Sequence, residues 1–233
     1  MVSTILPERV NVTDNLAVRK MMTDLGVPLY EQDKLTFSPD ISPGTKISIV
    51  RQSPEGITLS DATWWLMLDP ANLKPNNKYA SFNTRSDKLN VPKSLGYHPY
   101  RKSRCIIPAT AFIEGAGDRK TYHKIHFAGR AIAFGGLYRE WISKESGEIV
   151  RSASIITLPP VPEWKAIHPK SIPLMLPEDV KLRQQWLNPE IQEVEQFEHL
   201  LIPKLDGPHI ATPIGKVNQW NEIGPSFTVW PEG

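Results

Sequence analysis

The sequence predicts an α+β domain with a mostly antiparallel sheet. Three observations predict it. From residue 46 to residue 158 the apolar residues come in short or alternating runs between turn signals, the pattern of strands. Helical spacing is confined to the start and the end of the chain. The 22 prolines cut the 233 residues into short elements, yet no linker, repeat or low-complexity tract divides them. Residues 1–233 therefore read as one domain, with 1–8 as a candidate flexible extension.

The first element is helical. In "TDNLAVRKMMTDLGVP", Val18, Met21, Met22 and Leu25 share one face, Thr13 is placed to cap the start, and Gly26 followed by Pro28 supplies the stop. A polar loop follows. The runs "KISIV", "ATWWLML", "RCIIPATAFIE", "TYHKIHF", "AIAFGGLY" and "SASIITL" then read as strands. "TYHKIHF" alternates and predicts one wet face, while "AIAFGGLY" and "SASIITL" are continuous and predict central strands. "PEDVKLRQQWL" and "PEIQEVEQFEHLL" both open on proline and predict helices, the second with Ile191, Val194, Phe197 and Leu201 on its buried stripe. The tail "GPHIATPIGKVNQW" is turn-rich with some strand character.

Composition bounds the function. Hydrophobic residues make up 40% and charged residues 22%, and the net charge of +2 neither favours nor excludes nucleic acid. One cysteine fits a reducing compartment. No run reaches the roughly 20 apolar residues of a membrane helix, and the start has no secretory pattern. A cytoplasmic protein is the expectation. None of the six histidines shows zinc-ligand spacing with a cysteine, so no metal and no cofactor are expected.

Polar groups stand where apolar runs end. Asn83 and Arg85 lie two apart in "YASFNTRSDKL", on one face if this is a strand. They read either as a sugar-orienting amide beside a phosphate-gripping guanidinium or as a turn asparagine beside a surface arginine. In "SRCIIPATAFIEG", Cys105 begins a buried run and reads as packing, with Arg104 pointing to the other face. Glu114 ends that run, either as a carboxyl with a raised proton affinity or as a solvated turn residue. In "IITLPPVPEWKAIHPKSIPLML", Thr157 ends a strand and prolines brace His168, a natural proton shuttle. His123, His126 and His199 read as surface or packing residues. Six basic residues lie between Arg85 and Arg104 against the single acid Asp87, and Trp64 and Trp65 precede them. This is either a single-strand binding surface or a solvated basic loop.

In order and spacing, "ISPGTKISIV", "TWWLML", "YASFNTRSDKL", "RCIIPATAFIEG", "AIAFGGLY", "SASIITL" and "IHPKSIPLML" resemble the SOS response-associated peptidase family, the SRAP domain. The resemblance implies a compact domain on a barrel-like sheet with peripheral helices. It also implies capture of abasic sites in single-stranded DNA, through an N-terminal cysteine that closes a thiazolidine. It implies that Asn83 orients the sugar, Arg85 grips phosphate, Glu114 and His168 are active-site residues, Thr157 precedes His168 in the pocket, and Trp64, with Trp65 beside it, wedges against bases. Cys105 matches a non-catalytic position. The chain departs from the pattern where Pro7, Glu8 and Arg9 stand in place of Cys-Gly-Arg. Lys170 stands near an expected arginine and offers a point charge in place of a fork. The family is classed as peptidase and hydrolase, but its nucleophile is missing here. Three functions follow: a lesion-binding protein that has lost crosslinking, an enzyme using an N-terminal amine (Val2, or Pro7 after processing) as a Schiff base, or a peptidase-like scaffold.

Overall fold

A computed structural model describes residues 7–118 and 120–232. In chain order the elements are β1 (Arg9–Val12), α1 (Leu16–Leu25), α2 (Leu29–Gln32), β2 (Ser38–Ile41), β3 (Lys46–Ser53), β4 (Gly56–Trp64), β5 (Asn83–Arg85), α3 (Tyr97–Lys102), β6 (Arg104–Ala109), β7 (Ala111–Gly115), β8 (Tyr122–His126), β9 (Ile132–Ile142), β10 (Ile149–Leu158), β11 (Ile172–Pro173), α4 (Val180–Leu187), β12 (His209–Ile214) and β13 (Phe227–Val229).

Five strands close a barrel in the order β10-β4-β3-β6-β9, with β9 pairing back onto β10 from Ile142↔Ile149 to Gly136↔Ile155. β10 runs parallel to β4 and to the short β5, and the remaining barrel pairs are antiparallel. A second sheet, β13-β12-β8-β7-β1-β2, is antiparallel throughout. The run read as one strand over 104–114 is thus two. The chain leaves the barrel at Thr110, whose Oγ1 donates to Asn11 Oδ1 at 2.6 Å, and continues into the second sheet. Phe112 of β7 packs between Phe134 of β9 and Trp164, with ring centroids 5.2 and 6.0 Å away. That contact joins the two layers.

The first helix buries Val18, Met21, Met22 and Leu25, as its spacing requires, and ends on Gly26 in the left-handed region. Its cap is Asn15, not Thr13: the Asn15 side chain accepts from Val18 N. α4 begins after Asp179, whose side chain accepts from Leu182 N, so Pro177 lies ahead of the helix. The last predicted α-helix is instead a 3₁₀ run over Val194–Leu200, burying Val194, Phe197 and Leu200. Just ahead of β1, Pro7 is buried and Glu8 N donates to Ile113 O at 3.1 Å; residues 1–6, with Val2, lie outside the described residues.

Candidate functional site

Glu114 is built into the site by strand alternation. Phe112 and Glu114 share a face of β7, and Phe112 commits that face to the layer between sheet and barrel. Glu114 is consequently 0% exposed, with neither carboxyl oxygen partnered, and the solvated-turn alternative falls away. Burial drives its pKa well above 4.5, and the charge of Glu8 adds to the effect. Its carboxyl therefore keeps its proton to higher pH than a solvated glutamate does.

His168 is tied to the next residue. The segment 161–168 turns so that His168 N donates to Trp164 O at 2.7 Å. The imidazole Nδ1–H then donates to Gly115 O, which leaves Nε2 a buried acceptor without a partner. Burial, and secondarily the Lys170 charge, lower the His168 pKa against the opposing Gly115 bond, so the ring is neutral. His168 is thus anchored to the residue that follows Glu114 at the end of β7.

Two residues not foreseen as functional join them. His123 on β8 stands opposite Glu114, buried, with its Nδ1 unpartnered and its pKa lowered by burial. The alternation of "TYHKIHF" was legible, but not that His123 falls on the inner face. Glu8 reaches across the outer side of Gly115. A Cβ at Gly115 would lie 2.9 Å from Glu8 Oε1, so a larger residue there would displace the Glu8 carboxylate. Burial raises the Glu8 pKa and Arg9 partly offsets it. Glu8, Arg9, Ser42, Pro43, Phe82 and Val217 line an open cleft of about 410 Å³.

Of the candidates named from sequence, Arg9 alone lines this cleft. Asn83 follows Phe82 and pairs with Ile155 of β10. Both atoms of its amide are buried and unpartnered. Thr157, 6% exposed, pairs with Arg85 on one side and Pro173 on the other, which places it in the barrel wall. The Arg85 side chain is 75% exposed and holds Asp87 through two bonds of 3.0 and 2.8 Å, poised for solvent-side contacts. Arg9 pairs with Asp40 at 2.7 Å. Lys170 is exposed.

Two expectations are corrected. Trp64 is 0% exposed: its Nε1 donates to Phe82 O at 2.9 Å and its ring meets Phe82 edge-on, so it is wall rather than wedge. Trp65, half-buried and tilted on Phe82 at 5.3 Å, is the tryptophan nearer solvent. The basic segment is not one surface either. Arg104 is buried and donates to the carbonyls of Trp186, Tyr100, Arg101, Asn188 and Ile191, a fork used entirely inside the protein. Cys105 is buried, and burial pushes its thiol up, so it is inert packing as read from sequence. Among the described residues, no group of three metal-ligating side chains converges. No helix among them is long and apolar enough to cross a membrane.

A closed five-stranded mixed barrel, backed by an antiparallel sheet and few helices, defines an SRAP-type α+β domain. The family model "SOS response associated peptidase (SRAP)" matches residues 9–218, and the chain belongs to that family. Membership supports a DNA-damage-related role. Among solved structures, a Bordetella bronchiseptica protein superposes with a TM-score of 0.68 at 16% identity, covering 89% of this chain and 99% of its own. A Bacteroides thetaiotaomicron protein gives 0.64 at 21%, covering 88% and 90%. A phage-related protein of Bordetella bronchiseptica gives 0.63 at 16%, covering 94% and 100%. These likenesses establish the fold. No curated protein matches in sequence.

Proposed function

We propose that the chain binds single-stranded DNA at abasic sites and holds the lesion without a thiazolidine, as a cytoplasmic DNA-damage-response protein. One observation carries the reading. Asn83, Glu114 and His168 bury polar atoms that no protein group satisfies. Such groups cost about 1–3 kcal/mol each when left unmet, so their retention points to a ligand that meets them. A base-free deoxyribose is a good match. Its aldehyde or ring oxygen accepts from the neutral Glu114 carboxyl, its hydroxyl donates to His168 Nε2, and the Asn83 amide serves either role. A normal nucleotide brings a base where the sugar must enter. Arg85 stands exposed for a flanking phosphate. Covalent closure is not part of the reading, because the sequence has no cysteine besides the buried Cys105.

The test is fluorescence anisotropy with one oligonucleotide carrying a central abasic site and its intact counterpart, each with and without borohydride. Tighter binding to the abasic strand, with no adduct trapped, is expected. Equal affinity for both strands would remove the lesion from the reading, and a trapped adduct would replace it with the amine mechanism.

A further inference from the structure

A second cleft lies apart from the one beside Glu8. It encloses about 550 Å³ on the outer face of the second sheet, lined by Asn11, Lys124, His126, Asn218, Gln219 and Trp220, with Ala111 as a small floor between β1 and β8. We propose that this cleft is a nucleobase site, taking the base of a nucleotide that flanks the lesion; the proposal rests on the single-strand binding reading above.

The chemistry of the walls selects an uncharged ring over a phosphate. Asp40 spends one oxygen on Arg9 at 2.7 Å and the other on Trp220 Nε1 at 3.1 Å. Lys124 is held by Glu222 at 2.8 Å. His126 keeps a buried Nδ1 without a partner. The charges are thus matched inside the protein, and the free capacity that remains is an imidazole nitrogen and the exposed amides of Asn218 and Gln219. Amides on a surface loop can meet the donors and acceptors of any base edge, which makes the site tolerant of sequence. The indole supplies the platform. Its edge is pinned by Asp40, which leaves a face for stacking. Trp220 also adopts φ of 55°, a left-handed conformation unfavourable for a side chain, so the loop holds this ring against its local preference.

Continuity with the cleft beside Glu8 identifies the occupant. Arg9 lines the smaller cleft and is bonded to Asp40, which lines the larger. Val217 lines the smaller and is followed by Asn218 in the larger. A strand lying along the smaller cleft would pass directly into the larger one.

The experiment uses the full chain and abasic oligonucleotides cut back to the lesion on the 5′ side, on the 3′ side or on neither. Wild type is expected to lose about ten-fold or more in affinity when one particular flank is removed. Trp220→Ala should show that loss already with the uncut strand and lose nothing further on cutting. Trp220→Phe should retain most of the affinity, and Asn218→Ala, on an exposed loop, should weaken binding without altering stability. A 5-iodouracil on that flank should photocrosslink to residues 216–220 or 124–126. Binding that depends on the lesion but is indifferent to Trp220, or a crosslink elsewhere, overturns the nucleobase site alone. Failure of every oligonucleotide to bind overturns the DNA reading and this site with it.

Discussion

Glu114 shows how one carboxyl records its surroundings. Its proton affinity is raised by burial, so above pH 4.5 the native chain keeps a proton that the unfolded chain has released. Stability therefore falls as pH rises from 4.5 until the raised value is passed. Glu114→Gln removes that slope. Urea unfolding should show the variant matching wild type near pH 4 and exceeding it by about 1–3 kcal/mol at pH 8. His209 behaves with the opposite sign. It accepts from Trp164 Nε1 at 2.8 Å, and burial pushes its pKa down to about 4. Its contribution is complete above pH 6.5 and is lost as pH falls toward 4, on the order of 3 kcal/mol in all. His209→Gln should flatten the stability profile across that interval. Arg85, exposed and held only by Asp87, is expected to affect DNA and not the fold. Arg85→Ala should leave the melting curve unchanged. It should also reduce the slope of log affinity against log salt by about 0.7, the value of one phosphate contact on a single strand. An unchanged slope would place Arg85 outside the bound strand.

At the scale of elements, β9 is the strand that closes the barrel, and its glycines make the closure possible. A Cβ at Gly136 would sit 2.9 Å from the Ser154 backbone oxygen on β10, and one at Gly135 would sit 2.5 Å from Leu174 Cδ2. The glycine pair in "AIAFGGLY" thus lets β9 lie close to both neighbours. Gly136→Ala is expected to destabilise by about 1–3 kcal/mol in urea unfolding, because backbone cannot yield as a side chain can. The elements also show where sequence patterns mislead. Val194, Phe197 and Leu200 recur every third residue, the period of a 3₁₀ turn, and over this short stretch that spacing is hard to tell from an α-helical stripe. The run from Arg104 to Gly115 shows no apolar–polar alternation because both of its strands are buried on both faces. Nothing in such a run marks the corner at Thr110, where the backbone passes from one sheet to the other.

For the whole molecule, the site depends on how two sheets are held together rather than on any one motif. Glu114 comes from β7 of the second sheet, Glu8 from the residue just ahead of β1, His168 from the turn after β10, and Asn83 from a strand added to the barrel. Arg104 ties helix α4 and its following loop to β6 through carbonyl contacts of 2.7, 2.6 and 3.0 Å to Trp186, Asn188 and Ile191. The departures from the family pattern at Pro7 and Glu8 fall beside β7, where Glu8 N bonds to Ile113 O, and the one at Lys170 lies on the surface. A chain beginning at position 7 with Pro7→Cys and Glu8→Gly is therefore expected to regain a stable adduct with abasic single-stranded DNA, read as a shifted band on a denaturing gel without borohydride. Failure of that chain to crosslink would show that the pocket has lost more than its nucleophile.

The sequence by itself determined the α+β class, the first helix with its four buried residues, most strand positions, the packing role of Cys105 and the family. All of these rest on local periodicity or on the order of short motifs, which the chain carries along its length. Only the tertiary structure decided that Glu114 is enclosed rather than solvated, that His123 faces inward, that Trp64 and Arg104 are interior, and that Glu8 crosses Gly115. Those outcomes depend on which face of a strand meets a second layer, and on contacts between residues far apart in the chain, 99 positions between Asn11 and Thr110 and 180 between Asp40 and Trp220. Local sequence encodes alternation, but the partner across the layer decides which of the two faces loses its water.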